Sequence, residues 1–175
     1  MNKRIETLKR ALQSIGIKKV AGDNLGDEIW YHSTDPKNLK SILKDGLKIN
    51  SSANYSKASL EYMKDVYGVI PIFIAKSPEP YDGDSEAVVL AVDISGLDLV
   101  SDIPTLISHY GAYIEESSIW FEEGDLRAPS WADEEDEILF DDLLDSSSDY
   151  CKSSIETTGT AAVMSNIPPE RIRVL

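Results

Sequence analysis

The sequence predicts an α+β fold. Two short runs rich in β-branched residues, 69–75 and 87–93, are bounded by Pro, Gly and Asp, as strands commonly are. Two other stretches, 35–46 and 56–67, space their apolar residues for one face of a helix. Because the 175 residues are 42% hydrophobic and no Gly/Pro-rich linker divides them, we expect one domain over residues 1–175.

The N-terminal part is predicted to place helices around one strand. A first amphipathic helix, expected to pack on the domain, is indicated by the helical spacing of Ile5, Leu8, Leu12 and Ile15. The apolar and aromatic run 28–32 predicts a strand. Asp35 is then a good N-cap, Pro36 suits the first helical position, and Gly46 suits the left-handed residue that ends a helix. The chain should therefore pass from strand to helix at residues 32–34.

The remaining elements are shorter. Pro71 marks the edge or end of a strand, because proline cannot donate a ladder hydrogen bond. A short helix is expected to start near Asp102 and Pro104. Residues 160–165 predict a last buried strand, and 167–175 a turn followed by an extended piece.

The net charge of −14 is concentrated in one segment. Residues 115–149 hold 14 acidic residues against one basic residue, a net charge of −13, and the rest holds 17 against 16, a net charge of −1. Such a single-sign block predicts a solvated surface or a mobile insertion. Two sharper alternatives are a docking surface for a basic protein partner and a mimic of nucleic-acid phosphate. A third, a cation site, would use Asp133, Glu134, Glu135, Asp136 and Glu137.

We expect no metal site, because the acidic run lacks the interleaved Gly and Asn of a hard-cation loop, and the chain has two His and one Cys. The lone Cys151 cannot form an internal disulfide, which favours a reducing compartment. With no apolar run long enough for a membrane span and no signal-like start, the expected location is the cytoplasm, without a membrane partner.

The strand-to-helix turn begins a longer pattern. It runs through residues 31–34 (Tyr-His-Ser-Thr), 38–39 (Asn-Leu) and 41–47 (Ser-Ile-Leu-Lys-Asp-Gly-Leu), and later includes 72–75 (Ile-Phe-Ile-Ala) and 167–172 (Ile-Pro-Pro-Glu-Arg-Ile). This pattern resembles the ADP-ribosyltransferase superfamily. The resemblance implies a split β-sandwich with N-terminal helices, here with 115–149 as an acidic insertion, and it implies NAD as the cofactor.

The resemblance also implies roles for individual residues. His32 would hold the ribose of NAD with help from Ser33 and Thr34, beside Tyr31 in the same motif, and Phe73 would lie against the nicotinamide. Losing nicotinamide develops positive charge on the ribose, so a positioned carboxylate stabilises the transition state.

This chain departs from the family pattern at the position of the stabilising carboxylate. Many members have a Glu at the start of the strand before the final Pro-Pro turn, where this chain has Thr160 or Ala161. Glu156 is the candidate replacement, provided that the loop 157–159 folds back. Spacing does not choose among the further acids in and near the insertion, which are Glu115, Glu116, Glu122 and Glu123.

Three functions follow from these observations. The first is transfer of ADP-ribose from NAD to a protein or small-molecule acceptor. The second, an RNA 2′-phosphotransferase, is disfavoured because the chain lacks clustered basic residues and a second motif histidine; His109 is expected to be structural. The third is a non-catalytic module that binds a basic partner through 115–149. The acidic charge argues against nucleic acid as a partner.

Overall fold

The computed structural model describes residues 28–51, 56–78, 86–122, 129, 132 and 137–175. The helix predicted around residues 5–15 lies outside these residues, as do Glu123 and residues 133–136 of the candidate cation site.

The described chain alternates short strands with short helices. Single 3₁₀ turns at Pro36–Asn38 and Pro169–Arg171 precede α1 and β9. In chain order the elements are β1 (Ile29–Thr34), α1 (Leu39–Asp45), α2 (Lys57–Tyr67), β2 (Ile72–Ala75), β3 (Val88–Asp93), β4 (Leu99–Ser101), α3 (Ile103–Tyr110), β5 (Ala112–Glu115), β6 (Ser118–Phe121), β7 (Ile138–Leu139), α4 (Phe140–Leu144), α5 (Asp149–Thr158), β8 (Thr160–Val163) and β9 (Ile172–Val174).

The described strands form two antiparallel sheets. The large sheet has six strands in the order β4-β8-β2-β1-β3-β9, and the small sheet has three in the order β5-β6-β7. With helices packed on these sheets, the fold is α+β, as the sequence predicts.

The predicted helix boundaries are confirmed by their caps. Asp35 accepts a hydrogen bond from the Lys37 backbone N–H at the start of the 3₁₀ turn, and Ser56 caps α2 by accepting from the Ser59 N–H. Gly46 ends α1 as predicted, but with a φ of 80° and a ψ of 179° it is not in the αL conformation, and a Cβ there would collide with the Ile167 carbonyl. Within the described ranges, each helix is too short or too polar to cross a bilayer.

The large sheet is covered on both faces, which explains why β3 reads as a nearly continuous apolar run. Successive side chains of a strand alternate between the two faces. The first face carries Trp30, Ile74, Leu90 and Ala161, which pack with α1 and Ile167. The second face carries Phe73, Val100 and Ala162, which pack with α2, α3 and the small sheet.

The described part of the acidic segment contributes to this second core. Ile119 and Phe121 of β6, Ile138 of β7 and Leu143 of α4 are buried, while Glu115, Glu122, Glu137 and Asp141 are exposed. The segment is amphipathic because its apolar residues stand between the acids and point to the interior. It therefore supplies a structural layer as well as a charged surface.

Candidate functional site

The residues of the predicted motif lie where β1 leaves its neighbour β2. The two strands pair with Tyr31 opposite Ala75, and the side chain of His32 then bridges them. Its Nδ1 donates a hydrogen bond of 2.8 Å to the Phe73 backbone carbonyl. This side-chain hydrogen bond takes the place of a backbone hydrogen bond between β1 and β2 at the point where the two strands part. The bond also fixes the orientation of the His32 imidazole.

The hydrogen bond also fixes the chemical state of His32. A carbonyl oxygen can only accept, so Nδ1 carries the proton. Burial lowers the pKa of His32 below its ordinary value, although the bond to Phe73 opposes this shift, and the neutral ring is favoured. In the neutral ring Nε2 is an acceptor, so it is suited to a hydroxyl group that donates a hydrogen bond.

Several predicted residues share the second face of the large sheet. Tyr31 stands opposite Ala75 on β2, and Ala75 stands opposite Thr160 on β8, so the three form one row across three strands. Ser33 and Phe73 follow on the same face because side chains alternate along each strand. The face therefore combines two aromatic residues, two hydroxyls and a small alanine.

Thr34 is not part of this arrangement. It lies opposite Val88 and points to the first face, where it is buried. Of the motif residues, the structure brings Tyr31, Ser33 and Phe73 together on the second face. His32 stands opposite Leu90, so it shares the first face with Thr34 and reaches the Phe73 carbonyl from that side.

An aromatic residue that the sequence reasoning did not select completes this face. The ring of Tyr67, at the end of α2, meets Phe73 edge-on with centroids 6.1 Å apart. The Tyr67 hydroxyl donates to the Ser101 carbonyl at 2.9 Å and accepts from the Ile103 N–H at 2.8 Å. In the sequence Tyr67 is only one of the apolar positions on a helix face. Nothing in its spacing distinguishes a residue that supports Phe73 from one that simply packs in the core.

Asp102 lies between the two residues that Tyr67 binds, and it was expected only as a helix start. It is 3% exposed, and its carboxylate caps α3 by accepting from the Thr105 N–H at 3.0 Å and the Thr105 hydroxyl at 2.8 Å. Burial raises its pKa, while the hydrogen bonds oppose the shift. It adjoins β8, since Ser101 pairs with Ala161.

The candidate carboxylates from the sequence lie elsewhere. Glu156 is exposed on α5, and Thr157 and Thr158 continue that helix to a left-handed cap at Gly159. A helix end thus stands where a fold-back loop was required. In the small sheet and its hairpin, Glu115, Glu116 and Glu122 are exposed.

Thr160 is the first residue of β8. Ala161 is fully buried among the apolar residues of the first face. Thr160 lies on the second face with a buried hydroxyl, whereas Ala161 shares the first face with His32.

The outer face of the small sheet is a second surface with a distinct character. Tyr113 and Leu139 are 44% and 48% exposed, and Trp120 stands opposite Tyr113. Glu115 and Glu122 lie on the same face because side chains alternate along β5 and β6. Exposed apolar side chains are thus flanked by carboxylates.

The other candidates considered from the sequence are a metal site, Cys151 and His109. Among the described residues, no group of three or more His, Cys, Asp or Glu is arranged to hold a metal ion. Cys151 is buried, and burial raises the pKa of its thiol, which disfavours the reactive thiolate. His109 is exposed near the end of α3.

Comparison of the chain with protein-family models, curated proteins and solved structures gives no match. The function therefore has to be argued from the site itself.

Proposed function

We propose that this chain binds NAD at the opening between β1 and β2 and transfers ADP-ribose to a protein or small-molecule acceptor. The observation that carries the proposal is the state of His32, whose ring is held by Phe73 with Nδ1 as donor and Nε2 as acceptor. A ribose presents hydroxyl donors, which is what a neutral imidazole with a free lone pair binds.

Across the same strands from His32, the second face carries aromatic residues that would receive an adenine or nicotinamide ring where β1 and β2 part. Phe73 is half-buried and braced by Tyr67, so its ring is a rigid apolar surface at the edge of a polar site. Tyr31 and Ser33 add a further ring and a hydroxyl on the same side. Flat heterocycles are recognised by aromatic contact combined with a few placed polar groups.

The arrangement of the sheets supports a finer description of the fold. The small sheet and the second face of the large sheet share one hydrophobic core, as in a sandwich, and the motif of residues 31–47 spans β1, its turn and α1. We therefore assign the α+β fold to the ADP-ribosyltransferase-like split β-sandwich class as part of the proposal.

The proposed reaction breaks the bond between ribose C1′ and the nicotinamide nitrogen. The bonding electron pair leaves with nicotinamide, which becomes neutral, and C1′ gains positive charge shared with the ring oxygen. The acceptor's nucleophilic atom then donates an electron pair to C1′ and releases its proton to solvent. With water as the acceptor, the products are ADP-ribose, nicotinamide and a proton.

Titration with NAD by calorimetry tests the proposal, with nicotinamide release followed in the same samples. His32→Ala removes one hydrogen bond to the ligand and should weaken NAD binding about tenfold. His109→Ala is the matched control, because His109 is exposed on another element, and it should bind like the wild type. A wild-type protein that binds no NAD contradicts the proposal.

Glu156→Gln, measured alongside, tests the carboxylate named from the sequence. A strong loss of nicotinamide release with unchanged NAD binding would assign the charge to Glu156. Unchanged release would mean that another carboxylate carries it.

The second candidate function is a non-catalytic module that binds a basic protein. The observation that favours it is the outer face of the small sheet, where Tyr113 and Leu139 are exposed beside carboxylates. Such an interaction would weaken steeply as salt rises, whereas NAD binding within a pocket would not.

A further inference from the structure

The small sheet ends in an open strand. In the order β5-β6-β7, β5 pairs with β6 on one side and with no other described strand on its second side. A strand in this position presents a row of backbone N–H and C=O groups with which a further extended chain can pair. β5 has four residues, whereas the other described edge strands, β4, β7 and β9, have three or fewer. The open edge of β5 is therefore the longest in the described part of the chain.

The side chains of β5 are exposed on both faces of the small sheet. Tyr113 is 44% exposed on the outer face, and Ile114, which faces the core, is still 36% exposed. The residue opposite Ile114 on β6 is Ile119, which is fully buried. Ile114 is thus uncovered because it lies at the edge of the sheet. A strand added beside β5 would gain apolar contact on both faces.

Charge restricts which chains can be added there. Glu115 ends β5, Glu116 follows it, and Glu122 comes directly after β6 beside the other end of β5; all three are exposed. The sequence has no Lys or Arg in residues 112–122 or 137–149. An acidic chain would be repelled by this surface, whereas Lys and Arg complement it. The edge therefore fits a basic segment.

A second copy of this chain does not fit the edge equally well. Each copy carries a net charge of −13 over residues 115–149, and pairing two β5 edges would bring two such segments together. Charged residues at an exposed edge commonly prevent edge-to-edge association between copies of a protein. The acids around β5 thus oppose self-pairing and leave the edge open to a partner of opposite charge.

We propose that β5 is a docking strand for a basic, extended segment of a partner protein, which pairs with it as a fourth strand of the small sheet. This inference rests on the second candidate of the proposed function and specifies its surface. Side chains of the added strand alternate between the two faces. The segment has Lys or Arg on the outer face, beside Tyr113 and Glu115, and apolar residues between them, beside Ile114. Because β5 spans four residues, the paired segment is about four to six residues long.

The test measures peptide binding by fluorescence anisotropy at about 0.15 M ionic strength. The probe is fluorescein-labelled Lys-Val-Lys-Val-Lys-Val with an amidated C-terminus. The control peptide has the same sequence with every backbone nitrogen methylated, which keeps the charge and removes the donors of a β-ladder. The probe should bind one-to-one, and the methylated peptide should bind at least about tenfold more weakly.

Two charge reversals locate the contact. Glu115→Lys places a like charge beside the peptide and should weaken binding of the probe about tenfold. Glu137→Lys is the matched control, because Glu137 is also exposed but precedes β7, two strands from β5, and it should weaken binding less than about threefold. Bound probe should also slow amide hydrogen exchange in β5 and leave α5 unchanged, which a purely ionic contact would not produce.

The outcomes distinguish this inference from the function on which it rests. If the methylated peptide binds as tightly as the probe, or if both charge reversals weaken binding equally, strand addition at β5 is overturned and a basic partner stands. If the protein alone self-associates and the probe competes with that association, a second copy occupies the edge and the inference is overturned. If no basic peptide binds, this inference and the second candidate function fail together, while NAD binding is decided by its own titration.

Discussion

The two sheets of this protein use acidic residues in opposite ways. The small sheet carries many acids at its surface, among them Glu115, Glu122 and Glu137, where water and salt weaken their fields. The large sheet has Asp102 at the end of β4, buried among hydroxyl groups. A single buried charge acts more strongly on its neighbours than a group of exposed ones. The acidic segment dominates the net charge, yet the buried acid, Asp102, lies outside it.

The two histidines repeat the contrast. His32 is held between strands, and burial lowers its pKa. His109 is exposed near the end of α3. The environment, and not the residue type, separates a candidate ligand-binding group from a surface residue.

The largest expected effect tests whether the two regions form one cooperative unit. Leu90 fills the first core and Leu143 the second, and both are fully buried. Replacing either with Ala should cost about 2–5 kcal/mol of unfolding free energy, through lost burial and a residual cavity. Urea unfolding followed by circular dichroism and by tryptophan fluorescence measures the cost.

Leu175→Ala is the control for this experiment, because Leu175 is exposed at 62%, and it should change stability by less than about 0.5 kcal/mol. Coincident transitions by both probes agree with one domain over residues 1–175. If Leu143→Ala shifts one probe and not the other, the small sheet unfolds separately.

A smaller effect should appear in the pH dependence of stability. The pKa of His32 is lowered in the folded state, so the unfolded chain binds protons first as the pH falls. The contribution of His32 to stability is thus fully present above its ordinary pKa of 6.5. It is lost as the pH falls from there through the pKa of His32 in the folded state. His32→Gln should remove most of this loss, as measured by urea midpoints at about pH 7.5 and about pH 5.5.

Leu175→Ala, which changes no titratable side chain, is the control and should keep the wild-type dependence. Asp102 contributes with the opposite sign, because a raised pKa favours the folded state on protonation, but it is present in every variant compared. An unchanged slope in His32→Gln would mean that His32 is not desolvated.

The smallest effect is expected from the exposed acids. Changing Glu115, Glu122 and Glu137 together to Gln should alter stability by less than about 0.5 kcal/mol per site at moderate salt, because each is solvated. At about 0.01 M ionic strength the variant should melt slightly higher than the wild type, since like-charge repulsion is relieved, and the difference should vanish near 1 M. A large loss of stability would show that these acids make contacts needed for folding.

Local sequence signals predicted the large-sheet strands other than β4, together with α1, α2 and the start of α3, but not the small sheet, α4 or α5. The cap residues Asp35 and Gly46 identified helix ends because they act through hydrogen bonds and dihedral angles a few residues away. Apolar runs located β2, β3 and β8 within a few residues, because β-branched residues favour extended backbone. The α+β class follows from these signals. The resemblance also named His32 and Phe73, which the structure joins by a hydrogen bond.

What the sequence determined by itself was therefore local: where strands and helices begin, and which residue types stand at the strand-to-helix turn. The tertiary structure alone decided which of those residues meet. Strand register put Thr160 in line with Tyr31 and turned His32 and Thr34 to the opposite face, and sheet order brought Asp102 beside β8. Register and burial depend on partners far along the chain. Counting acids in the sequence therefore could not show that Asp102 is buried.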